Sequence, residues 1–178
     1  MTPSRRLLRH FLAALAYRTQ KALGDAPSTF AGFRAAPNVR TPHELLWHMT
    51  GLMGYARTML HGGEYGPPRL ASFEDEVARF HAALQSLSDD FVDDALRARI
   101  SDEQFLQGPL SDAMTHAGQL AMLRRLEGTP VPSENFIFAE ISADNLSVAQ
   151  PLPAAPDEWW RPDQPPQPPG PHPPTLPT

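Results

Sequence analysis

Cysteine is missing from all 178 residues. That absence removes disulfides, thiolate metal ligands and a cysteine nucleophile, so any metal must be held by His, Asp, Glu or water. Apolar runs long enough to cross a bilayer are missing too. The N-terminal MTPSRRLLRHFLAALAYRTQ sets basic residues before an apolar stretch, as a secretion signal would, but Arg9 and His10 interrupt it. Leu7, Leu8, Phe11, Leu12 and Leu15 recur at helical spacing, which predicts an amphipathic first helix and a cytoplasmic protein. Nor does one sign of charge dominate. The net charge is -5 with acids and bases interspersed, which argues against nucleic acid or an anionic membrane surface as a partner. There is no glycine-rich phosphate loop, no G-x-S-x-G elbow, no H-E-x-x-H and no internal repeat, and the enzyme classes that depend on them drop out.

Proline, by contrast, is abundant, at 21 residues, and it crowds from Gln150 onward, where Trp159-Trp160 precedes RPDQPPQPPGPHPPTLPT. This composition shift divides the chain into a folded part, 1–149, and a tail, 150–178. Such a tail cannot donate the hydrogen bonds of helix or sheet and favours extended polyproline II. It reads as a strap over the folded part, anchored by the two tryptophans and ending in solvent. The P-x-x-P spacings offer a second reading, a recognition tail for an aromatic groove.

The rest reads as helices. The first spans Ser4 to Leu23 and stops at Gly24-Asp25. A connection with Pro27, Gly32 and Pro37 follows, long enough for helices to pair across a bundle instead of as a hairpin, with Phe30 and Phe33 lying on the helices. The second opens on Thr41 as cap, Pro42 in the first turn and Glu44 as capping-box partner, and runs to His61. Its core stripe is Leu45, Met49, Leu52, Ala56 and Met59, with His48 and Tyr55 on the stripe's edge. The third begins at Ser72 and buries Phe73, Val77, Phe80, Leu84 and Leu87, with His81 beside them at the surface or behind a site. Asp89 to Gln107 is ambiguous between an extension of that helix and a separate turn.

In the last helix, Gly108-Pro109 punctuates the start, Ser111 or Asp112 serves as cap, and Gly128 with Pro130 ends it. Arg124 and Arg125 would complement its dipole at a solvated end. Ser133 then caps a short helix from Glu134 to Ile141, whose Phe136, Ile137 and Ile141 fold back. The pattern is all-α, a four-helix bundle.

Asp112 and His116 stand four residues apart, so a carboxylate and an imidazole lie over one patch of helix surface and can grip one cation. The same pair also serves elsewhere as a capping carboxylate and a half-buried histidine. His48 likewise reads either as a ligand or as a core histidine bonded to a backbone carbonyl.

The segment LLWHMTGLMGYA followed by DAMTHAGQLAMLRRLEG resembles the DinB-like (YfiT-like) family of four-helix metalloproteins. In that family a histidine of the second helix and two residues four apart on the fourth bind one divalent metal. The resemblance implies ligands His48, Asp112 and His116, in an up-down-down-up bundle that is often a homodimer. Family members usually carry histidine where this chain has Asp112, a change that hardens the site. Zinc or nickel is the metal implied, with iron or manganese also compatible with a carboxylate. Characterised relatives include transferases and isomerases that use thiols such as bacillithiol, mycothiol or glutathione. The expectation is therefore a transferase activating a small thiol, or a water, toward an electrophilic acceptor, with Tyr55 and Gln119 orienting ligands from the pocket wall. A non-catalytic dimeric bundle with a structural metal or none is the alternative. A two-histidine, one-carboxylate iron oxygenase matches the ligand set but belongs on a β scaffold.

Overall fold

The first helix, α1, covers Pro3–Leu23 with Thr2 as its cap, and Pro3 stands in the first turn, where its missing N–H costs nothing. The computed structural model describes residues 1–156. Trp159, Trp160 and the proline-rich stretch around them, with the strap anchor and recognition motifs expected there, lie outside the described residues. The second helix, α2, is Pro42–His61, opened by the predicted capping box. The Thr41 hydroxyl accepts from Glu44 N at 3.2 Å and the Glu44 carboxylate accepts from Thr41 N at 2.8 Å. The third, α3, is Phe73–Val92. A short α4, Asp102–Phe105, precedes the last long helix, α5, Ser111–Glu127. No strand forms among the described residues; one isolated bridge joins Glu134 to Pro156.

The long link between α1 and α2 has the consequence expected of it. Helix α1 packs on α3 and α5, and α2 packs on the same two, so the first two helices are not a hairpin. Leu12, Phe30, Leu46, Met49, Phe80, Leu84, Phe105 and Leu120 fill the space between them with no exposure to solvent. Each such side chain contributes about 1.5–3 kcal/mol by leaving water. Of the predicted stripe of α2, Leu45, Met49 and Ala56 are buried as expected, and the buried face is wider on one side than predicted. Leu46, Met53 and Leu60 are buried, whereas Leu52 and Met59 are only partly so.

Three expectations about local structure are corrected. Gly108-Pro109 does not begin a helix: backbone turns continue from Ser101 through Leu106–Leu110 into α5, kinked where Gly108 takes φ -91° and ψ -107°. Proline disfavours helical geometry in the residue before it, and glycine absorbs the deviation. Neither Ser111 nor Asp112 is therefore a cap; the Ser111 hydroxyl donates to Leu106 O at 2.6 Å, and the capping box sits upstream at Ser101 and Gln104. The helix expected from Glu134 to Ile141 is a single tight turn, Phe136–Phe138, because Glu134 is held extended against Pro156 and the side chain capping the turn is that of Asn135. Phe136 does fold back, edge-on to Tyr17 with ring centres 6.2 Å apart, while Ile137 projects outward. Arg124 is the third. Its guanidinium is buried, donating to Ala22 O at 3.0 Å and Gly24 O at 2.9 Å, where it satisfies the last carbonyls of α1.

Candidate metal centre

The capping box fixes where α2 starts and so which way His48 faces, two turns along. The kink at Gly108 does the same for α5, whose first turn carries Asp112 and whose second carries His116. The structure brings these three predicted residues together, with one ligand atom from each lying within 4.8 Å of the others. Asp112 bridges the two imidazoles: Oδ1 is 3.2 Å from His116 Nε2 and Oδ2 is 3.8 Å from His48 Nε2. The imidazole rings meet edge to face, 4.8 Å between centres. On a tetrahedral ion with bonds of about 2.1 Å, ligand atoms stand about 3.4 Å apart, so modest side-chain rotations close the set on one cation.

Gln119 is placed as predicted, one turn beyond His116, and its Oε1 accepts from His116 Nδ1 at 2.8 Å. An amide oxygen only accepts, so Nδ1 carries a proton, and in the neutral ring the lone pair then lies on Nε2. A lone pair 3.2 Å from a carboxylate oxygen is repelled unless a cation or a second proton lies between them. The donor set thus fits a metal ion. His48 is half-buried, and its pKa is pushed down from the ordinary histidine value, first by burial, then by the charges of Arg40 and His116, against the opposing pull of Asp112. The neutral, metal-binding form is favoured as a result. Asp112 is exposed on one side, with 48% of its side chain accessible, so the cluster opens to solvent there.

Tyr55 shares the His48 side of α2 but is exposed, and its phenol has no hydrogen-bond partner among the described residues. His81 is neither at the surface nor behind this site. It is buried in the core, where Nδ1 bonds Leu146 O at 2.7 Å. Arg40, whose charge bears on His48, was not foreseen; it precedes the cap of α2 and carries no motif. A second histidine–carboxylate contact was also missed, His61 Nε2 to Asp90 Oδ1 at 2.9 Å, with Arg57 on the other oxygen at 2.7 Å. Arg57 and His61 are one turn apart on α2, but no spacing in the sequence points to an acid on another helix.

The described residues define an all-helical protein with a His48–Asp112–His116 group able to bind a metal ion. No helix among them is long and apolar enough to cross a membrane. Comparison with protein-family models, curated proteins and solved structures finds no match, so the likeness to the DinB-like family rests on the two helical motifs.

Proposed function

We propose that this chain is a metal-dependent enzyme of the DinB-like type, a transferase that activates a low-molecular-weight thiol, or a water, for attack on an electrophilic acceptor. The reading is carried by one observation: two imidazoles and one carboxylate converge from two helices, with the carboxylate side open to solvent. Three protein ligands leave room for a substrate atom, and a divalent metal there supplies a Lewis acid that lowers the pKa of the group it binds. Two imidazoles suit zinc or nickel; Asp112 also admits iron or manganese. Burial and neighbouring charge favour the neutral ring of His48, Gln119 accepts from His116 Nδ1 and holds that ring in register, and Asp112 would offset one positive charge. No further carboxylate or imidazole joins the group among the described residues, which favours transfer of a thiol over hydrolysis that needs its own base.

The direct contact between Asp112 and His116 supports a second reading, a non-catalytic bundle in which an imidazolium–carboxylate pair closes without metal. Elemental analysis separates the two. The first reading expects one divalent ion per chain in the purified protein, lost from both His48→Ala and His116→Ala, and turnover in a screen of small thiols against electrophiles. Full metal content in both variants, or none in the parent after incubation with zinc or nickel, rejects the metal site.

A further inference from the structure

The richest unassigned feature lies on the other flank of α5, where α1, α5 and the returning segment 130–153 enclose two adjoining cavities of about 480 and 200 Å³. They share Lys21, Val131 and Pro132 in their walls. Together they reach the size of a pocket for a small organic molecule. Charge there runs against the chain as a whole. The protein carries a net charge of -5, yet Arg18, Lys21, Arg124 and Arg125 line the two cavities against only Asp25 and Glu134.

Of these cations only Lys21 pairs with a carboxylate among the described residues, Glu134 Oε2 at 2.6 Å. Arg124 is 4% exposed, and its partners are neutral: carbonyls of Ala22, Gly24, Asp25 and Thr129 and the Thr129 hydroxyl. Nη2 has only the long contact to Asp25 O, 3.4 Å, so a donor remains free. The carboxylates of Glu127 and Asp25 act on this buried cation only from a distance and neither touches it, so an anionic guest reaching the free donor would make its first direct charged contact. Beside it, Gln20 Oε1 is buried without any hydrogen-bond partner, an acceptor awaiting an N–H or O–H. Val148, Leu152 and Pro153 give the rest of the wall an apolar character.

We infer that this groove is a second ligand site, for a small carboxylic acid that has an apolar body and carries its own N–H or O–H donor. The carboxylate meets Arg124 and the flanking arginines, the donor meets Gln20, and the body lies on the proline-rich wall. The site is independent of the metal triad, so either can fail without the other.

Binding of hippurate, benzoate and hippurate methyl ester to the full chain, by calorimetry and thermal shift, tests the inference. Hippurate should bind at least tenfold tighter than its methyl ester and tighter than benzoate, which lacks the N–H. Gln20→Leu should erase the advantage of hippurate over benzoate, Val131→Trp should fill the groove and weaken both acids at least tenfold, and zinc content should be unchanged in each variant. Arg124→Gln removes the central charge. Because Arg124 also holds the end of α1, the exposed pair Arg18→Gln with Arg125→Gln repeats the charge test in a variant whose helix ends are intact. Equal binding of acid and ester, no binding of either acid, or undiminished binding by Val131→Trp overturns the inference.

Discussion

At the scale of single residues, two histidines are fixed by the hydrogen bond that Nδ1 makes. Gln119 Oε1 accepts a hydrogen bond from His116 Nδ1 and so turns Nε2 toward Asp112, where it would face a metal. Gln119→Leu removes that bond at an exposed position. Metal affinity, measured by competition with a chromophoric chelator, should fall about 10–100-fold, with thermal stability nearly unchanged; unchanged affinity would show that the bond does not orient the ring. His81 makes the equivalent bond inward, from Nδ1 to the carbonyl of Leu146, and leaves a buried Nε2 without a partner. Burial pushes its pKa down from the ordinary histidine value, against the smaller opposing effect of that hydrogen bond. Below about pH 6.5 the unfolded chain takes up a proton that the folded core resists, so stability falls as the pH drops through that value toward the folded pKa. His43 and His48 are depressed in the same direction and add to the slope. Urea midpoints of the metal-free protein should therefore decrease from pH 7 to pH 5. His81→Asn, which keeps a donor toward Leu146, should flatten that decrease; an identical slope would assign it to the other histidines.

At the scale of elements, what could be read depended on whether the signal was local. The start of α2 was legible because Thr41, Pro42 and Glu44 act on each other within one turn; of the group His48, Asp112 and His116, spacing showed only the pair on α5, and His48 joined it through the family resemblance, since the residues alone left it open between a ligand and a core histidine. The kink before α5 was misread since Gly108-Pro109 is the same dipeptide whether a helix stops or bends. The outcome was decided by Pro109 and Leu110, which are buried and hold the chain in line. Invisible altogether was the reason for Gly54 in the middle of α2. The loop after the helix returns Tyr65 across it, and a Cβ built on Gly54 would lie 2.1 Å from a carbon of that ring. The glycine is thus a docking notch, made on one element for a side chain from another. Gly54→Ala should cost about 1–3 kcal/mol by overpacking, even though alanine is the better helix former. In the double variant with Tyr65→Ala the penalty should largely vanish. Additive costs in that cycle would place the strain elsewhere.

At the scale of the whole molecule, the four long helices do not complete the core; the chain beyond α5 does, with a single tight turn as its only helical structure among the described residues. Leu146 enters the core at 2% exposure, Arg9 of α1 reaches Ser88 and Asp144, and Asn135 N donates to Ala155 O to close the segment on itself. The strongest tie is Glu134, whose side chain is fully buried between Tyr17 Oη at 2.8 Å and Lys21 Nζ at 2.6 Å. Burial and the bond to Glu134 both push the Tyr17 pKa up, which keeps the phenol protonated and donating. No periodicity announces such a segment, and the sequence shows Glu134 only as one acid after a serine. Glu134→Gln keeps the shape and an acceptor for Tyr17 but strands the ammonium of Lys21. Removing one partner of a buried pair costs about 3–5 kcal/mol, and the flexible stem of Lys21 allows escape toward water, which sets the expectation near the lower end. The loss should be local before it is global, with limited proteolysis cutting within residues 129–156 while the helices still resist. Adding Lys21→Met should recover part of the lost stability, because two apolar or neutral groups need no counter-charge. If Glu134→Gln alone matches the parent in both urea midpoint and cleavage pattern, the pair does not hold the segment, and the anchoring falls to Leu146 and Arg9.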